Sequence, residues 1–350
     1  MTICVAQISR KGGDRFMKLD IGTPVITSHH YYALPLAIIC GDDALKRWVY
    51  SEFIQWYTYR DHEDERTRVS LYKDNNERYK FEPLYETVAM SKQLVGGKDV
   101  VSVFKSFLDN GQYIYDFVDL HYIRSLRRDR HLMHDVLIFG YDDDLQVFHV
   151  YAYHGAKLAQ WDIPYAEYEE AYDSDYQRAQ FHLTVLYRKK DAEFHLDIGR
   201  IGNHLLDYLE GINTSNREAP LSVELYKPRF GLDVYDEMKY NLQCMRDWNL
   251  LLDIPEMFCI YEHKCFMYER VAYLDGCTDV KCPDSLRDRF AEMKESGRIM
   301  AMLALKLNQK RLSSEEDYNA LMHRFDVMKE LEKAALSEYY EHNCSVFENA

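Results

Sequence analysis

The chain has 350 residues, 47 % of them apolar and 14 % aromatic, with a formal net charge of -15 and a sequence pI near 5.4. That much apolar sequence can bury two ordinary cores, so two domains are expected. The acidic balance argues against a nucleic-acid partner, because gripping a phosphate backbone takes clustered Lys and Arg over a wide surface.

Residues 1–13 lack the long apolar core of a secretion signal, and no apolar run reaches the ~18 residues of a membrane span. A cytoplasmic protein with no membrane partner is therefore expected. The eight cysteines, at 4, 40, 244, 259, 265, 277, 282 and 344, form no Cys-x-x-Cys pair. They read as reduced thiols, and no metal site is expected from them.

Taken in chain order, residues 44–58 carry Leu45, Trp48, Val49, Phe53, Ile54 and Trp56 at spacings that predict a helix, with Asp42 or Asp43 available to cap it. The charged stretch 61–68 reads as a solvated loop, since it lacks the glycine and ligand spacing of a calcium loop. A helix over 99–108 ends at Asp109-Asn-Gly. Strands are predicted at 113–118, 136–140, 145–153, 158–163 and 183–187. Residues 136–151 have the pattern of a β-hairpin, two apolar runs around Tyr141-Asp-Asp-Asp.

The texture changes near residue 199. Segments 199–211, 231–250, 253–275, 283–309 and 313–343 show apolar residues three and four apart, with Pro220, Pro228, Pro255 and Pro283 at or near the breaks. The expected architecture is α+β: a mixed domain over residues 1–195 with a largely antiparallel sheet, followed by an all-helical domain over 196–350. In the segment Tyr261 to Arg270, the side chains of Glu262, Lys264 and Arg270 are available for surface pairs, and His263 is expected to be solvated or capping, with contact to a ligand as the alternative.

No Gly-x-Gly-x-x-Gly, Walker loop, His-Glu-x-x-His or Gly-x-Ser-x-Gly occurs. His131 and His134 are three apart and could share a metal on a helix, but the strand pattern that follows points them differently. His134 stands at the mouth of the hairpin, where its position alone reads equally as a surface histidine before an ordinary buried hairpin and as a functional one.

The order of several segments resembles the family related to the N-terminal domain of butirosin biosynthesis protein H. The segments are His30-Tyr-Tyr-Ala-Leu-Pro-Leu-Ala-Ile-Ile, Trp48-Val-Tyr-Ser-Glu-Phe-Ile-Gln-Trp-Tyr, Asp109-Asn-Gly-Gln-Tyr-Ile-Tyr, His134-Asp-Val-Leu-Ile-Phe-Gly-Tyr-Asp-Asp, Tyr165-Ala-Glu-Tyr-Glu-Glu-Ala-Tyr and Glu262-His-Lys-Cys-Phe-Met-Tyr-Glu-Arg. The resemblance implies a papain-like, cysteine-protease-like fold and an acyltransferase of thiotemplate pathways. Such an enzyme passes an acyl or peptidyl group from the phosphopantetheinyl thioester of a carrier protein to a small-molecule amine, forming an amide. The implied partners are that carrier protein and the amine, with no further cofactor. A homodimer is left open.

The resemblance gives His134 the base position, but no cysteine stands where the nucleophile belongs, at the start of the first core helix in Thr27-Ser-His-His-Tyr-Tyr-Ala. Cys40, some ten residues later, is the first candidate and Cys4 the second. Ser28 and His30 occupy the expected neighbourhood. If no cysteine reaches His134, the reaction is direct aminolysis with His134 or His30 as base. The usual orienting aspartate falls near Ala152, leaving Asp135, Asp119 or Tyr153 as substitutes. The competing expectation is a noncatalytic protein that binds a carrier protein or product with a degraded version of the same fold.

Overall fold

The computed structural model describes residues 15–60, 67–72, 85–95, 99–155, 157–174, 176, 182–189, 196–218 and 228–350. The elements in the first half are β1 (Phe16–Lys18), α1 (His30–Cys40), α2 (Asp43–Val49), β2 (Trp56–Arg60), β3 (Thr67–Leu71), β4 (Tyr85–Ser91), α3 (Val100–Asp109), β5 (Tyr113–Asp119), β6 (Met133–Asp142), β7 (Val147–His154), β8 (Lys157–Pro164), α4 (Tyr165–Tyr172) and β9 (His182–Arg188). The second half adds α5 (Ile198–Glu210), α6 (Ser215–Glu218), β10 (Arg229–Phe230), α7 (Val234–Asp247), α8 (Ile254–Cys277), α9 (Asp284–Gln309) and α10 (Glu315–Asn349).

The fold is α+β, with antiparallel sheets and a helical C-terminal region, and among the described residues no helix is long and apolar enough to cross a membrane. The chain forms two compact units, which are not divided at a single point near 195. One contains residues 1–23, 37–42 and 80–192, and the other 24–36, 43–79 and 193–350. The second unit is accordingly not all-helical: it holds the sheet β10-β2-β3.

In the first unit a seven-stranded antiparallel sheet runs β4-β9-β5-β6-β7-β8, with β1 paired to the far end of β6. The 136–151 hairpin is the β6–β7 pair, and the expected strands at 113–118, 158–163 and 183–187 are present as β5, β8 and β9. Alternation along the strands sends Ile114, Val118, Val136, Ile138, Phe148 and Val150 to one face. There they pack against Val100, Phe104 and Leu108 of α3 and Tyr168 and Ala171 of α4. Asp99 caps α3 by accepting from the Ser102 N–H, and Gly111, in the left-handed region, ends it.

The β6–β7 register shifts between Ile138 and Gly140, and the carbonyl of Phe139 there accepts from the Leu19 N–H at 2.7 Å. A Cβ on Gly140 would stand 2.4 Å from the Met17 carbonyl oxygen, so only glycine lets β1 come this close.

In the second unit α5, α7, α8, α9 and α10 pack with one another and with β2 and β3. The helix expected over 44–58 stops at Val49. Phe53 takes a left-handed backbone, and the aromatic run Trp56-Tyr-Thr-Tyr continues as β2, where such side chains suit a pleated sheet. Residues 61–66 of the charged stretch lie outside the described residues, and Thr67 and Arg68 begin β3.

The segment from Tyr261 to Arg270 is buried structure rather than a solvated face. Glu262 accepts from the Thr27 and Ser28 N–H groups at 2.9 Å each, fixing the loop before α1. Arg270 donates to the carbonyls of Tyr50 and Glu52. Lys264 is fully buried, 2.6 Å from Glu332 and 4.0 Å above the Trp56 ring. The other oxygen of Glu332 accepts from Tyr235 at 2.6 Å and Tyr208 at 2.9 Å. His263 donates through Nε2 to the Ile54 carbonyl, so its Nδ1 lone pair accepts from Lys264 at 2.9 Å. Burial, and then the Lys264 charge, keep this imidazole neutral. Burial likewise lowers the Lys264 amine to about 8, against the pull of Glu332.

Candidate functional site

His134 enters the sheet at the second residue of β6, and its Nδ1 lies 3.2 Å from the Asp135 carbonyl and 3.3 Å from Asp135 Oδ1. Both neighbours accept, so Nδ1 carries the proton and the basic lone pair of the neutral ring sits on Nε2. Asp135 is itself held: its Oδ2 accepts from the phenol of Tyr115, a fully buried residue of β5. The ring of Tyr153 stands edge-on to His134 at 6.3 Å. Of the three substitutes for an orienting aspartate, Asp135 therefore contacts His134 directly and Tyr153 packs against it.

Asp119 serves a different histidine. Its Oδ2 lies 2.6 Å from His131 Nδ1 and accepts from Ser174 Oγ at 2.8 Å, while Oδ1 accepts from the N–H groups of His121 and Leu132 at 3.1 and 3.2 Å. Burial alone would raise this carboxyl, but the bonds from His131, Ser174 and the backbone prevail and hold it below the usual range. His131 stacks on Tyr176 at 5.5 Å, and its ring lies 4.5 Å from that of His121. The two histidines three residues apart thus turn to different carboxylates and do not form the shared metal site that helical spacing would have allowed.

Cys40 closes α1, and its carbonyl end is packed so tightly on Gly22 that a Cβ there would meet Cys40 O at 2.2 Å. This is the carbonyl end of the helix, the opposite of the amino end that stabilises an anion. Burial, and then the neighbouring Tyr153 and Cys40, push the Tyr151 phenol up to about 12. Cys40 and the Tyr153 that packs on His134 therefore share Tyr151 as a neighbour. Cys4 lies outside the described residues.

Ser28 and His30 belong to the helical unit, Ser28 in the loop held by Glu262 and His30 as the first residue of α1. Ser28 lies beside Cys259, a buried thiol that burial and then Glu256 and Glu262 push up, so that it stays protonated. The sequence does not show Cys259 as a neighbour of this loop, because the two are far apart along the chain. The Asp119–His131 pair is equally hidden, because β5 and β6 must form before the two meet. Its only local signal is an aspartate at the end of one strand and a histidine just before the next.

No family model matches the chain, and no curated protein is significantly similar to it.

Proposed function

We propose that the chain is an amide-forming acyltransferase on a papain-like scaffold, passing an acyl or peptidyl group from a carrier-protein thioester to a small-molecule amine. The reading rests on the sequence resemblance, and one observation carries its chemistry: His134 is fixed through Nδ1 by Asp135, which is braced by Tyr115, so that Nε2 is the base. The amine nitrogen attacks the thioester carbonyl while Nε2 takes its proton. The C–S bond then breaks, and the imidazolium returns the proton to the departing thiolate. Atoms and charge balance without a covalent intermediate.

Cys40, at the carbonyl end of its helix, is poorly placed to be a thiolate, which favours direct aminolysis over an acyl-enzyme. The test is intact-mass and product analysis with a panel of acyl-carrier thioesters and amines. Amide formed by wild type and Cys40→Ala but not by His134→Ala is the expected result. Binding of a carrier without turnover in any arm would favour the noncatalytic reading.

A further inference from the structure

The connection from β5 to β6 concentrates positive charge in a chain whose net charge is -15. Residues 120–131 carry Arg124, Arg127, Arg128 and Arg130 against a single acid, Asp129. Arg124 is committed to Glu167 and Glu170 of α4. Arg127, Arg128 and Arg130 are exposed, and none of them is in an ion pair among the described residues.

The segment is built rather than trailing. Its base is closed by the Leu120 N–H to the Leu132 carbonyl at 2.9 Å. Its two histidines are fixed from behind, His131 Nδ1 by buried Asp119 and His121 Nδ1 by the Arg128 carbonyl at 3.1 Å. In both rings Nδ1 faces an acceptor and carries a proton, which orients the ring and leaves Nε2 as the second polar atom. Two anchored imidazoles could suggest a metal, but the three exposed arginines carried by the same short connection disfavour a cation. They suit an oxyanion that a guanidinium fork grips through two oxygens.

We propose that this connection is a phosphate-binding site and that the phosphate it takes is that of a phosphopantetheine thioester. The second half of the proposal rests on the acyltransfer reading. His131 and His134 are three residues apart, at most ~10 Å along an extended chain, so a phosphate held at the loop lies close to the His134 end of β6.

The experiment is calorimetric titration of the whole protein with inorganic phosphate, acetyl-pantetheine, acetyl-phosphopantetheine and acetyl-coenzyme A. The proteins are wild type, Arg127→Gln/Arg128→Gln/Arg130→Gln, and a control with equal charge loss elsewhere, Arg246→Gln/Arg289→Gln/Arg298→Gln. Acetyl-phosphopantetheine is expected to bind wild type and control roughly tenfold or more tightly than acetyl-pantetheine, with the advantage lost in the loop variant and shrinking with salt. An equal advantage in the loop variant, or no phosphate binding by wild type, overturns the site. Loop-dependent binding of inorganic phosphate with no response to either pantetheine supports the site while removing the carrier reading. Acetyl-coenzyme A matching acetyl-phosphopantetheine supports a free cofactor as the source, and binding at least tenfold weaker supports the tethered arm.

Discussion

Asp119 Oδ2 and His131 Nδ1 are 2.6 Å apart, with the carboxylate fully buried and the imidazole at the surface. Two backbone N–H groups and Ser174 complete the carboxylate's partners, so Asp119→Ala leaves several donors unmet. A loss of about 1–3 kcal/mol in urea unfolding at neutral pH is expected. The native carboxyl sits below its unfolded value near 4, so its contribution is full above that pH and is lost as pH falls through the native value. The acid limb of the stability profile should flatten in Asp119→Asn, and an unchanged limb would contradict the assignment.

His134→Gln removes the proton acceptor while keeping a polar side chain. Amide formation is expected to fall about 10²- to 10⁴-fold with unfolding unchanged, whereas Cys40→Ala should stay within about threefold of wild type and show no acyl adduct by mass. Turnover that disappears with Cys40 instead would restore the covalent route.

Lys264 and Glu332 are an ion pair with both side chains fully buried. Lys264→Met should cost about 3–5 kcal/mol because Glu332 is left charged and half-partnered, and Lys264→Met/Glu332→Leu should recover part of that loss. The double-mutant cycle in urea checks both figures.

The same lysine gives a pH signature. Its native value of about 8 lies below the unfolded value near 10.4, so between these limits the unfolded state binds more protons and stability climbs with pH. Tyr208, Tyr235 and Cys259, all held up by burial, act in the opposite direction above their ordinary values, while burial lowers the Arg270 guanidinium to about 9, which acts in the same direction as Lys264. The difference between wild type and Lys264→Met, followed by thermal unfolding from pH 7.5 to 10, isolates the lysine. A flat difference would mean that Lys264 is not desolvated in solution.

Gly140→Val places a Cβ within 2.4 Å of the Met17 carbonyl, where neither backbone can yield cheaply. Loss of the β1–β6 pairing is expected, at a cost of about 1–3 kcal/mol, read as faster amide exchange at Met17 and Leu19. Equal protection in the variant would mean that β1 does not depend on this approach.

Local patterning revealed more of the fold than of the site. The hairpin, α3 with its stop at Asp109-Asn-Gly, and the long C-terminal helices declare themselves through local pattern within one segment. What stayed hidden depends on partners distant in sequence. Trp56 fits a helical stripe as well as a strand, and its place in β2 beside Lys264 is decided by α8. Lys264 and Arg270 have the residue types of a solvated face, and only the placing of Glu332 and of the Tyr50 and Glu52 carbonyls makes their burial tolerable. At the site, His134 could be singled out from its position before the hairpin, but its tautomer depends on Asp135 and on Tyr115 from the neighbouring strand.

The composition of the helical unit has a consequence for how the molecule comes into being. Residues 24–36 and 43–72 leave the ribosome early, yet Trp56 finds its Tyr235 and Lys264 neighbours only when α7 and α8 have been made, and Tyr208 its Glu332 only when α10 has. At ordinary translation speeds that is a wait of roughly ten seconds to a minute with an aromatic strand uncovered. Ribosome-bound chains halted before residue 264 should therefore keep Trp56 accessible to quenchers and be retained by chaperones, whereas a sheet made of residues 85–188 closes first.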